Sequence, residues 1–124
     1  MIDPDDCRTM AEVRDGVDAT DRELAALLGK RFRFMDAAAR IKANRGAVRD
    51  EPRKAQVLEN AERAALGAGV PAGVATALWE TLVEASIAYE LAVWDQLFRL
   101  RQGEPHGASD GARTRDLRRD RPAL

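Results

Sequence analysis

Three cationic side chains lie where the sequence pattern calls for apolar residues. The residues of this face recur at alternating steps of four and three: Leu24, Leu28, Arg31, Met35, Ala38 and Lys42. Such spacing is typical of one face of a long amphipathic helix, and Arg14 extends the same phase toward the N-terminus. A buried cation is costly unless an anion meets it. Arg14, Arg31 and Lys42 therefore predict an anionic ligand.

A carboxylate interrupts a second apolar stripe near the C-terminus. The stripe recurs at steps of three and four: Trp79, Val83, Ile87, Glu90 and Trp94. One interpretation makes Glu90 the structural ion-pair partner of one of the three cations; the other places it in the same anion-binding site. Long Arg and Lys side chains can also reach solvent from the edge of a helix.

Composition narrows the classes of function. The chain has 124 residues, a net charge of −1, one cysteine and one histidine, which argues against zinc sites and Ser-His or Cys-His catalysis. The near-neutral charge predicts no binding to nucleic acid or membrane. The N-terminus has no secretory pattern, and the longest uncharged run, residues 64–79, is too short to span a bilayer. We therefore expect a cytoplasmic protein without a metal site.

The first predicted helix is too long for the domain that contains it. It spans residues 9–44, with Thr9 and Glu12 in a capping-box pattern and Gly46 at its end. Such a helix is about 54 Å long, whereas a compact domain of this size is roughly 35 Å across. A second copy must cover the exposed part, so we predict a homodimer. Arg14 lies about 25 Å from Arg31 along the helix, so in a shared site it comes from the other copy.

Two further helices and a tail complete the predicted all-α fold. The second helix begins with Asp50 as its N-cap and runs to Leu66, and the third runs from Pro71 to Arg101. Residues 1–101 then form one helical domain. The Arg-rich and Gly-rich segment 102–124 is predicted to be disordered.

Over about residues 6–101 the chain resembles the all-α chorismate mutase family. The segments that carry the resemblance are Ala11-Glu12-Val13-Arg14, Gly29-Lys30-Arg31, Ala39-Arg40-Ile41-Lys42, Val48-Arg49-Asp50 with Arg53, and Ile87-Ala88-Tyr89-Glu90. The opening Asp6-Cys7 and Trp94 look similar to a second branch of the same fold, the isochorismate pyruvate lyases.

The resemblance implies an intertwined homodimer of three-helix subunits with two composite sites and no cofactor. It implies that Arg31, and Arg14 of the other subunit, bind substrate carboxylates. Lys42 is expected to donate to a carboxylate and to the ether oxygen, and Glu90 to the same ether oxygen from the other side. The remaining expected substrate contacts are Arg53, Asp50, Val48 and Ile87.

Three functions remain open at this point. We expect a chorismate mutase, which rearranges chorismate to prephenate; an isochorismate pyruvate lyase, giving salicylate and pyruvate, is the alternative. A non-catalytic dimeric helical module, with its cations paired to Glu90 and Asp50, is the third possibility.

Mutases usually carry Glu after the helix-2 Arg to meet the substrate hydroxyl, and this chain has Lys54 there. Both branches usually carry Gln at position 90, although some fungal mutases carry Glu.

Overall fold

The computed structural model describes residues 2–103, and these form three α-helices joined by short connections. The helices are α1 (Met10–Ile41), α2 (Glu51–Gly67) and α3 (Val74–Arg101). Single 3₁₀ turns at Pro4–Asp6 and Arg45–Ala47 precede α1 and α2. The prediction of an all-α fold with a long first helix is confirmed, and this part of the chain contains no strand. From residue 104 onward the predicted disordered tail lies outside the described residues.

The predicted start of α1 is confirmed, and its predicted end is wrong. Thr9 accepts a hydrogen bond from the Glu12 backbone at 3.2 Å, and Glu12 accepts one from the Thr9 backbone at 3.1 Å. The helix ends at Ile41, before the predicted Asn44, and Gly46 lies in the following turn. Asn44 has an extended backbone (φ −142°, ψ 156°) and cannot continue α1; its side chain starts the turn by accepting a hydrogen bond from the Ala47 backbone at 3.1 Å.

Asp50 caps α2 as predicted, accepting a hydrogen bond from the Arg53 backbone at 3.0 Å. The predicted start of α3 at Pro71 is wrong, because the helix begins at Val74 behind a left-handed Gly73 (φ 87°). Gly73 has no side chain with which to cap the helix. Glu62 of α2 supplies the cap instead, accepting hydrogen bonds from the backbone of Gly73 at 2.8 Å and of Thr76 at 3.1 Å.

The core consists of two small clusters along α3. Ala39 of α1 packs with Val93 and Trp94 in one cluster. The second cluster brings together three buried side chains, those of Val48, Val83 and Ile87. Glu90 lies on α3 between the two clusters.

The first two thirds of α1 present an apolar face to solvent in the single chain. The large apolar side chains between residues 10 and 28 are all exposed: Met10, Val13, Val17, Leu24, Leu27 and Leu28. The 32-residue helix is about 48 Å long. None of the helices within residues 2–103 is long and apolar enough to cross a membrane.

Candidate active site

A cavity of about 360 Å³ lies between the C-terminal part of α1, the start of α2 and the middle of α3. Among the residues predicted to contact a ligand, those that line it are Arg31, Lys42, Val48, Asp50, Arg53, Ile87 and Glu90. They are separated by up to 59 positions in the sequence, and the packing of α1 and α2 on α3 brings them together. The apolar part of the wall includes Met35, Val57 and Val83.

Arg14 does not line this cavity. Its side chain is exposed on the first third of α1, 17 residues before Arg31 and therefore about 25 Å away along the helix. Within one chain the two guanidinium groups cannot reach the same small ligand.

Two guanidinium groups provide the positive face of the cavity. Arg31 is half-buried and donates from Nη1 to Ser86 Oγ at 2.6 Å, and Arg53 donates to Gln56 at 2.6 Å. Burial lowers the pKa of Arg31, and the positive charge of Arg53 lowers it further. Neither group forms an ion pair within the described residues. A bound anion would therefore stabilise both charges.

Ser86 is a site residue that the sequence analysis missed. Its hydroxyl is buried, accepts from Arg31 and donates to the carbonyl of Leu82 at 2.7 Å, so both of its hydrogen bonds are fixed. The available signal was its position, one helical turn before Glu90 on the same face of α3. Serine is common in helices, so its presence alone does not indicate a functional site.

Lys42 and Glu90 form an ion pair at the cavity wall. Lys42 Nζ lies 2.7 Å from Glu90 Oε2, and the Glu90 side chain is only 5 % exposed. No other donor within residues 2–103 reaches that oxygen. One interpretation of the sequence made Glu90 the ion-pair partner of a cation, and this pair is present. Both of its members also face the cavity.

A network of ion pairs fixes the rim of the cavity between α2 and α3. Lys54 Nζ lies 2.6 Å from Glu80 and 2.9 Å from Glu84, and Arg49 contacts Glu84 at 2.7 Å. The hydrogen bonds from Arg49, and then from Lys54, lower the pKa of Glu84 to about 2. Lys54 lines the cavity, but its ammonium group is bound to these two carboxylates.

The charges that border the cavity favour an anionic ligand. Three cations, Arg31, Lys42 and Arg53, face it together with two carboxylates, Asp50 and Glu90, which leaves a net charge of +1. The charge of Lys54 is already balanced by Glu80 and Glu84. The Asp50 carboxylate also caps α2. No group of three or more metal-binding side chains occurs in the part of the chain that the structure describes.

Comparisons with known proteins match the chain to a family model and to a relative. The family model for chorismate mutase type II matches residues 13–91, a range that contains Arg14 and the whole lining of the cavity. The chain is also 30 % identical over 96 residues to an isochorismate pyruvate lyase of Pseudomonas aeruginosa. That match covers 77 % of this chain and 95 % of the relative.

Proposed function

Because the chain belongs to the chorismate mutase type II family, we propose that its cavity converts chorismate to prephenate. The observation that carries the proposal is the convergence of Arg31, Lys42 and Arg53 on one cavity of about 360 Å³. Chorismate is a dianion: one carboxylate is attached to its ring and the other belongs to its enolpyruvyl ether side chain. Its charge complements the net charge of the cavity wall.

Binding would use the two guanidinium groups that lack a carboxylate partner. Arg31 and Arg53 each present a planar fork of donors, which matches the two oxygens of a carboxylate. Ser86 holds Arg31 at one nitrogen, so the remaining donors keep a defined direction. Arg14 of a second copy would supply a further cation from outside the subunit.

The reaction would need no nucleophile. The ether C–O bond breaks as a new C–C bond forms, so the cavity helps by holding the compact conformer that brings the two carbons together. Val48, Val83 and Ile87 form a rigid apolar wall behind such a conformer. Lys42 would stabilise the negative charge that develops on the ether oxygen as its bond stretches.

Glu90 would assist from the opposite side when its carboxyl group is protonated. A protonated carboxyl can donate a hydrogen bond to the ether oxygen, whereas a carboxylate can only accept. In the ion pair the carboxylate holds Lys42 at 2.7 Å and competes with a bound anion for the ammonium group.

A second candidate, isochorismate pyruvate lyase, rests on two observations. The Pseudomonas aeruginosa relative carries that name. Position 54 carries Lys, so this position offers no carboxylate to meet a substrate hydroxyl, and the Lys54 ammonium group is itself bound to Glu80 and Glu84. The same cations would bind isochorismate, and the products would be salicylate and pyruvate.

The test is to incubate the protein separately with chorismate and isochorismate and to follow prephenate, salicylate and pyruvate. The two reactions are compared by kcat/KM, because enzymes of this fold often show some of each activity. We expect prephenate formation to have the larger value. A larger value for salicylate formation would favour the lyase, and no product above the uncatalysed rate would favour the non-catalytic helical module.

A further inference from the structure

Helix α3 contacts Lys42 at both the side chain and the backbone. Glu90 lies 2.7 Å from the ammonium nitrogen, and the indole N–H of Trp94 donates to the Lys42 carbonyl at 3.3 Å. Glu90 and Trp94 are four residues apart, so they lie on the same face of α3 in successive turns. The direction in which Lys42 leaves α1 therefore depends on α3.

Helix α1 holds the Lys42 backbone at its N–H, which donates to the Ala38 carbonyl at 2.9 Å, but it supplies no donor to the Lys42 carbonyl. The helix ends at Ile41, and Lys42 is the extended C-cap residue (φ −64°, ψ 133°). The last carbonyl groups of a helix have no partner within the helix and need donors from elsewhere. Trp94 supplies one of these donors, and Arg101 donates to the Arg40 carbonyl at 3.0 Å.

Trp94 is itself firmly placed. Its side chain is buried against Ala39, which is fully buried, and its ring stacks on Phe98 with centroids 5.2 Å apart. An indole has a single hydrogen-bond donor, so this packing fixes where that donor points. Close by, Arg45 binds both oxygens of Asp95 at 2.8 and 3.2 Å and ties the segment after Lys42 to α3.

We propose that Trp94 is a positioning residue for Lys42: its indole N–H fixes the backbone from which the ammonium group reaches the cavity. The kinetic part of this inference rests on the proposed function. Lys42 acts on an oxygen whose charge grows in the transition state, so a misplaced Lys42 lowers kcat more than it raises KM.

The first test is Trp94→Phe, which keeps an aromatic ring against Ala39 and Phe98 but removes the N–H donor. We expect kcat to fall by about ten- to a hundredfold with little change in KM, because small displacements of a reacting group are costly. Trp79→Phe is the matched control. Trp79 is a half-buried tryptophan on the same helix that does not line the cavity, and its variant should keep the wild-type kcat.

A double-mutant cycle with Lys42→Ala separates positioning from general damage. If Trp94 acts through Lys42, Trp94→Phe should change the residual activity of Lys42→Ala by less than about twofold. An undiminished loss in the Lys42→Ala background would overturn the proposal, and so would a wild-type kcat for Trp94→Phe. All rates are measured well below the melting temperature of each variant.

A third test does not depend on activity. The chain contains three lysines, Lys30, Lys42 and Lys54, so ¹³C-dimethylation should give three lysine signals in an NMR spectrum. The Lys42 signal is assigned by its absence in Lys42→Ala. We expect it to shift in Trp94→Phe while the other two stay in place, and an unmoved Lys42 signal would contradict the proposal even if neither substrate reacts.

If Trp94→Phe does not fold, the exposed Arg101 provides the second variant. Arg101→Ala removes the donor to the Arg40 carbonyl without disturbing the core. It should shift the Lys42 signal and lower kcat several-fold, and the loss should again disappear in the Lys42→Ala background. Unchanged kcat and an unchanged Lys42 signal would overturn the proposed dependence of Lys42 on α3.

Discussion

The ion pair between Lys42 and Glu90 places a cation and a carboxylate beside the same proposed reacting oxygen. The two groups have opposite effects there. The ammonium stabilises negative charge on the ether oxygen, whereas an ionised carboxylate opposes it. We therefore expect different effects on kcat when each of the two side chains is replaced.

Replacing Lys42 with Ala removes the positive charge from the developing oxyanion. The loss of one preorganised donor typically lowers kcat by about 10²–10³, and we expect at least that for Lys42→Ala. Lys30→Ala, on the exposed surface of the same helix, is the matched control and should keep the wild-type rate. Activity of Lys42→Ala within about threefold of wild type would remove Lys42 from the mechanism.

Replacing Glu90 with Gln should preserve or raise activity near neutral pH. A glutamine amide can donate a hydrogen bond to the ether oxygen, whereas a carboxylate can only accept one. The measurement is kcat of Glu90→Gln beside that of the wild type. A folded but inactive Glu90→Gln would make Glu90 a structural partner of Lys42 alone.

At the residue level, the sequence was most informative where a residue type contradicted its apolar pattern. Arg31, Lys42 and Glu90 interrupt apolar stripes, and the structure places all three at one cavity. Ser86 does not interrupt an apolar stripe, so this criterion could not identify it. The engagement of Lys54 with Glu80 and Glu84 depends on the packing of α2 against α3, which no local pattern specifies.

At the level of elements, sequence patterns predicted the helix starts whose caps come from residues adjacent to the helix. Thr9 and Asp50 cap α1 and α2 from adjacent residues, and both were predicted. The cap of α3 comes from Glu62, eleven residues before Gly73, so Pro71 was a misleading start signal. The end of α1 likewise depends on contacts with α3 and on the turn that Asn44 begins.

The network around Glu84 should make stability depend on pH. The folded-state pKa of Glu84 is about 2, below the ordinary 4.5, so the unfolded chain binds more protons between these values. Its stabilising contribution is present above about pH 4.5 and is lost as the pH falls toward 2. The melting temperature should therefore drop over this range.

Glu84→Gln should lower the melting temperature near neutral pH and make its fall in acid shallower. Glu59→Gln, which removes an exposed pair with Arg63 on α2, is the control and should leave both features nearly unchanged. An equally steep fall in acid for Glu84→Gln and the wild type would contradict the role assigned to this network.

At the scale of the whole molecule, the exposed apolar face of α1 supports the predicted homodimer. Six large apolar side chains between residues 10 and 28 are exposed in the single chain, and a self-complementary dimer is the commonest arrangement that covers such a face. We predict that sedimentation at micromolar concentration gives a species of twice the 13.6 kDa chain mass. A folded monomer at that concentration would rule out an obligate dimer.

The most direct test of a composite site mixes two inactive variants, Arg14→Ala and Lys42→Ala. If each site takes Lys42 from one chain and Arg14 from the other, a heterodimer of the two variants contains one intact site and one doubly altered site. Random re-association should then restore prephenate formation to about one quarter of the wild-type rate. No recovery, with heterodimers verified by co-purification of two differently tagged subunits, would contradict a site shared between two copies of the chain.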